Sequence, residues 1–299
     1  MTVSVEEATD LFRRKPDRLI DVGTGKVAYR VVGNGPDVLF VHGWPVSGAT
    51  FRRLLPNLAD HVTCHVIDLV GSGSSEFTAQ TPMSFENHIR SVRSVVDQLG
   101  LNSVAVVGHD SGGFISRHAM AGDPRLRALG LIDTEQSTGL SRKFKSFIVT
   151  GRTPGFGAVL GWLCGRPRLR RNRFVLGDAF ADPSLLDGEF AEFFLKPMHD
   201  EKLRQFAAVT LLRSFQYRYV NELSNLHQRI TVPVQLVWGE KDAFFPVAWA
   251  KKMVDSFPAA QLAVIAGAGL FSHEERPTEV SRALLPVLLG TANEQHSPM

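Results

Sequence analysis

The run Gly108-His109-Asp110-Ser111-Gly112 carries the strongest chemical signal in the chain. An apolar stretch, Ser103 to Val107, precedes it, and a helical pattern follows to about Ala121. A strand that breaks sharply into a helix can hold one side chain proud of the turn. Small residues two before and two after that side chain let strand and helix approach each other. Centred on Asp110, the frame has glycine at both of those places; centred on Ser111, it puts His109 where a small residue is needed. Asp110 is therefore the expected nucleophile. A carboxylate attacks a carbon that carries a leaving group or an epoxide oxygen, and the product is an ester on the protein. Cleaving that ester needs an activated water and N–H donors for the charge that develops on the aspartyl carbonyl. The Ser111 N–H and the Trp44 N–H, the latter in the loop after the Val38 strand, are the natural donors.

These residues require a scaffold, and the pattern of the chain supplies one. Leu19 to Val22 and Lys26 to Val32 flank Gly23-Thr24-Gly25 as a hairpin. Val38 to Val41, His61 to Ile67, Ser103 to Val107, Arg127 to Ile132, Val234 to Val237 and Leu262 to Ile265 read as strands. Helical spacing occupies Ser84 to Leu99, Val247 to Ser256 and Ser272 to Leu289, the last opening with a capping-box pair, Ser272 and Glu275. Such alternation implies an α/β fold: a mostly parallel central sheet with helices on both faces. Between about Glu135 and Arg229 the alternation stops, and only helical stretches remain. The expected division is a core of residues 1–134 and 230–299 and a helical cap, or lid, of residues 135–229 over the carboxyl ends of the strands, where α/β sheets bind ligands.

Four further groups of residues match a known pattern. They are His42-Gly43-Trp44-Pro45, Asp68 with Gly71 and Gly73, Gly239-Glu240-Lys241-Asp242, and Ser272-His273-Glu274-Glu275-Arg276-Pro277. Together with Gly108-His109-Asp110 they span almost the whole chain, in order. The chain resembles the haloalkane dehalogenase and epoxide hydrolase branch of the α/β-hydrolase superfamily. The resemblance implies an α/β-hydrolase fold, an aspartate nucleophile at Asp110, and Asp242 as the acid that orients a catalytic histidine. Asp133 is a second position at which some members of that branch carry the acid.

One departure is central. The branch carries its general base as Gly-His-Phe before the final helix, and here the sequence reads Gly269-Leu270-Phe271. Leucine accepts no proton. Three readings stay open: His273 supplies the base; the chain has lost hydrolysis and retains a covalent adduct, binds without turnover, or acts as a lyase or cyclase; or the base comes from His42 or His109. A smaller departure concerns the electrophile. Ser111 stands where dehalogenases often have a halide-binding tryptophan, leaving Trp44 and the cap residue Trp162 as substitutes. Of the paired cap tyrosines that epoxide hydrolases use to donate to the epoxide oxygen, only Tyr217 has a counterpart.

Composition narrows the rest. With 299 residues, 44% hydrophobic and 21% charged, the chain is ordinary for a globular protein. A net charge of +3 does not call for nucleic acid. The basic run Gly165 to Arg173 reads as a solvated face or as a site for an acidic partner. Two distant cysteines, Cys64 and Cys164, suggest neither a disulfide nor a metal site. No apolar run approaches the ~20 residues of a membrane span, and Met1 to Asp10 is polar and acidic, unlike a signal peptide. The expectation is a cytoplasmic enzyme, monomer or homodimer, acting on a small apolar electrophile without metal or cofactor. Epoxide hydrolysis leads dehalogenation and non-hydrolytic chemistry.

Overall fold

Eight strands form one sheet in the computed structural model, which describes residues 3–291. In chain order they are β1 (Arg18–Asp21), β2 (Lys26–Gly33), β3 (Asp37–Val41), β4 (Thr63–Asp68), β5 (Val104–His109), β6 (Leu126–Ile132), β7 (Val234–Gly239) and β8 (Ala260–Ile265). Their spatial order is β1-β2-β4-β3-β5-β6-β7-β8. The β1–β2 and β2–β4 pairs are antiparallel; all others are parallel. The predicted hairpin and every predicted strand are present. β3 and β5 lie at the centre, and their Val, Leu, Phe and Ala side chains are fully buried. That burial explains why they read as continuous apolar runs rather than alternating ones.

Helices cover both faces. Phe85–Gln98 begins where the Ser84 hydroxyl caps the Asn87 N–H, and it packs beside Ser111–Met120. Between β6 and β7 the chain forms six α-helices, 142–151, 156–164, 167–170, 196–200, 202–214 and 217–228, and no strand. The parallel register aligns Val41 of β3 with Gly108 of β5, and Gly108 with Leu131 of β6. The loops that follow β3, β5 and β6 thus emerge together at one sheet edge.

The end of the chain differs from its sequence reading. Ser272–Glu275 and Pro277–Leu289 are separate helices, broken at Arg276 (φ −137°, ψ 58°). A residue before proline is pushed out of helical geometry. The capping box does not form, because both of its members bond elsewhere. The Ser272 hydroxyl donates to Asp133, and Glu275 accepts from the Gly269 and Ala181 N–H groups. The basic run is exposed, as expected of a solvated face, except at Arg170, which is buried and pairs with Asp187.

Candidate active site

Asp110 sits at the break between β5 and helix Ser111–Met120 with φ 49° and ψ −132°. Positive φ in a residue with a side chain costs energy and tends to mark functional sites. The surrounding contacts hold it there. A Cβ on Gly112 would lie 2.1 Å from the Val41 carbonyl oxygen, so only glycine lets the helix start this close to β3. Gly43 plays the same part across the site, since a Cβ there would lie 2.5 Å from the Asp110 carboxylate. This close approach brings the Trp44 N–H to 2.7 Å from Asp110 Oδ2. The Ser111 N–H lies beside the same side chain and, like the Trp44 N–H, favours its ionised form. The two predicted backbone donors therefore converge on Asp110.

Asp110 opens into a cavity beneath the helices of residues 142–228. Its walls are mostly aromatic and aliphatic, with Phe85, Phe144, Phe147, Phe215, Phe244 and Leu211 among them. Leu270 lines the same cavity, and so does one residue that the sequence reading missed, Glu135. A second cavity shares Trp44, Pro45, Ser111 and Leu211 with the first.

Four carboxyl groups are buried in and beneath this cavity: Asp110, Asp133, Glu135 and Asp242. Burial raises the pKa of each. Glu135 is pushed up to about 7, and Asp242 also to about 7. Asp110 is raised by burial first and by the charge of Glu135 second; the Ser111 and Trp44 N–H groups oppose that rise. The two candidate supporting acids differ in what they touch. Asp133 Oδ1 accepts the Gly239 N–H at 2.7 Å and its Oδ2 accepts the Ser272 hydroxyl, so both oxygens are engaged. Asp242 Oδ1 accepts the Phe244 and Phe245 N–H groups, whereas its Oδ2 is buried without a hydrogen-bond partner among the described residues.

The histidines lie elsewhere. His273 is fully buried, its Nε2 is 2.8 Å from Thr50 Oγ1, its ring packs on Phe51 and His109, and it does not line the cavity. Burial holds it well below the usual histidine range. The expectation that His273 is the base does not fit this placement. His42 donates from Nδ1 to the Gly43 carbonyl and accepts the Leu69 N–H at Nε2, which leaves neither nitrogen free. His109 donates from Nε2 to the Leu270 carbonyl at 3.0 Å.

Two of the expected substrate contacts also fall away from the cavity. Trp162 is 47% exposed with the Arg166 guanidinium 3.9 Å over its ring, and Tyr217 is 46% exposed. Neither lines the cavity, because each sits on a helix face turned to solvent. Tyr29 and Tyr219, the other tyrosines, do not line it either; Tyr219 bonds Glu86. The Trp44 indole N–H is engaged by the Ala208 carbonyl at 2.9 Å. Glu135 has no counterpart in the motifs read from the sequence. The signal available was its place just beyond the predicted strand that ends in Asp133.

Comparison with known proteins agrees with this architecture. A family model described as alpha/beta hydrolase fold matches residues 36–277. The chain is 27% identical over 241 residues to the uncharacterized hydrolase YugF of Bacillus subtilis (strain 168), covering 81% of this chain and 85% of that protein. It is 26% identical over 276 residues to haloalkane dehalogenase 2 of Mycobacterium tuberculosis (strain ATCC 25618 / H37Rv), covering 90% and 93%. Among solved structures, the epoxide hydrolase CorEH without ligand superposes with a TM-score of 0.76 at 20% identity, over 92% of this chain and 99% of that one. A mutant of DBJA superposes with a TM-score of 0.77 at 20% identity, over 92% and 98%.

Proposed function

The chain belongs to the alpha/beta hydrolase fold family, and from that premise we propose that it is a member of the epoxide hydrolase type, slow in its final step. Asp110 attacks a carbon of a small, mostly apolar epoxide and forms a hydroxyalkyl ester. The Trp44 and Ser111 N–H groups steady the aspartyl carbonyl when water later attacks it. The helices of residues 135–229 act as a cap that closes the cavity over the substrate and excludes bulk water. Asp242, with Oδ2 unpaired, is the acid for a histidine at position 270. Leu270 occupies that position, so the ester is released slowly.

The observation that carries this reading is the Asp110 carboxylate, held by backbone N–H groups at a strained turn and facing an apolar cavity that Leu270 also lines. Haloalkane dehalogenation is the second reading, favoured by the likeness to haloalkane dehalogenase 2. It is weaker because a leaving halide needs N–H donors, and the Trp44 indole is already bonded to Ala208. Styrene oxide and 1-iodobutane, incubated with this chain and with Leu270→His, test the choice. Repeated turnover of styrene oxide to diol by Leu270→His supports the first reading, repeated iodide release by Leu270→His, beyond one equivalent and without diol, supports the second, and no product from either protein refutes both.

A further inference from the structure

Opening an epoxide requires more than a nucleophile. As the ring C–O bond breaks, its electron pair moves to oxygen, which must take a proton in or near the transition state. Among the described residues, no tyrosine and no histidine lines the cavity. Apart from the Trp44 indole, which is bonded to Ala208, the polar side chains among the described residues that line it are Asp110, Ser111 and Glu135.

Glu135 is placed to bring a proton into the cavity that Asp110 also lines. Thr134 Oγ1 lies 2.7 Å from the Asp110 backbone carbonyl, 3.0 Å from Glu135 Oε2 and 3.0 Å from Arg117 Nη2. A hydroxyl has one hydrogen to give and two lone pairs to offer. The Asp110 carbonyl can only accept, and it already takes the Gly113 N–H at 2.9 Å. Arg117 can only donate, and it fills one lone pair. The Thr134 hydroxyl can donate to a Glu135 carboxylate, or accept from Glu135 when its carboxyl is protonated. Burial favours the protonated form: it raises Glu135 to about 7 against the lowering effects of its own backbone N–H, of Arg117 and of the Thr134 hydroxyl, and the Glu135 charge would lie against that of Asp110. Two carboxyls sharing an apolar site do not both ionise readily. Asp110, with two backbone N–H donors and the positive end of helix Ser111–Met120, is the better placed to be the ionised one.

We propose that Glu135 is the catalytic acid of this site: its carboxyl, bonded to Thr134 in the same cavity as Asp110, protonates the epoxide oxygen during ring opening. The Asp110 oxygen–carbon bond forms as the ring carbon–oxygen bond breaks. The O–H of Glu135 turns from Thr134 to the departing oxygen and leaves Glu135 ionised beside a neutral hydroxyalkyl ester. This inference rests on Asp110 being the nucleophile. An alkyl iodide separates the two claims, because iodide leaves with its electron pair and needs no proton.

The experiment is a comparison of two alkylation rates, followed by intact-protein mass and peptide mapping, with styrene oxide and with 1-iodobutane. It is run on the unsubstituted chain and on Glu135→Gln, which keeps the shape but cannot give up a proton. The ratio of the epoxide rate to the iodide rate is expected to fall ~100-fold or more in Glu135→Gln. In the unsubstituted chain the ratio falls as pH rises through about 7. A ratio within a few-fold of the unsubstituted chain, with both labels on Asp110, overturns the role of Glu135 and leaves the nucleophile standing. Absence of label on Asp110 from either reagent overturns the nucleophile, and the inference with it.

Discussion

The Nε2–H of His109 donates to the backbone carbonyl of Leu270 across 3.0 Å, tying the loop after β8 to the residue before Asp110. The bond fixes where residue 270 lies. Its side chain lines the cavity that Asp110 opens into. Asp242, on the loop after β7, keeps one buried oxygen without a partner. An orphaned buried acceptor costs about 1–3 kcal/mol, and in the proposed function a histidine at position 270 is the donor that Asp242 lacks.

Leu270→His should therefore restore the final step. General-base help is worth ~10²–10⁴-fold, and the ester on Asp110 should decay faster by that order. Decay of a preformed adduct, followed by mass after removal of excess reagent, measures it. A decay rate equal to that of the leucine protein would mean that position 270 does not control release.

His273 should prove structural. Its ring is fully buried and its hydrogen bond reaches Thr50, away from the cavity. His273→Ala is expected to cost about 1–3 kcal/mol of stability through the lost hydrogen bond and packing. Adduct decay in the same protein should change by no more than a few-fold. A native unfolding midpoint with decay slowed ~100-fold would instead make His273 the base.

The buried acids and histidines set a pH optimum for stability. Burial raises the folded-state pKa of Glu135 and Asp242 to about 7. The stability this contributes is fully present below their unfolded values and is lost as pH rises through about 7. His42, His88, His109, His118, His227 and His273 are all lowered by burial. Their contribution is present above the unfolded histidine value and is lost as pH falls below it. The unfolding midpoint should peak near neutrality and fall on both sides, and Glu135→Gln should flatten the alkaline limb. A midpoint that climbs steadily to pH 9 would contradict this.

The fold was legible because Val38–Val41 in β3 and Val104–Val107 in β5 are unbroken apolar runs that lead into glycine-containing turns, a pattern that few architectures satisfy. The elbow was legible for the same reason: Gly108 and Gly112 answer a local steric demand. Other features depend on contacts between residues far apart in sequence. Ser272 looked like a helix cap but bonds Asp133, 139 residues away. Tyr217 and Trp162 looked like pocket residues, yet which face of a cap helix turns inward is set by tertiary packing. Glu135 was missed because its significance comes from Thr134, Arg117 and Asp110 meeting around it.

The central claim is that Asp110 forms an ester that Leu270 leaves slow to hydrolyse. Intact-protein mass after incubation with styrene oxide, with peptide mapping and Asp110→Asn alongside, tests it most directly. The account predicts a lasting gain of one reagent mass per chain, mapped to Asp110 and absent from Asp110→Asn. Rapid diol formation with no adduct that can be trapped, or a label on any other residue, would contradict it.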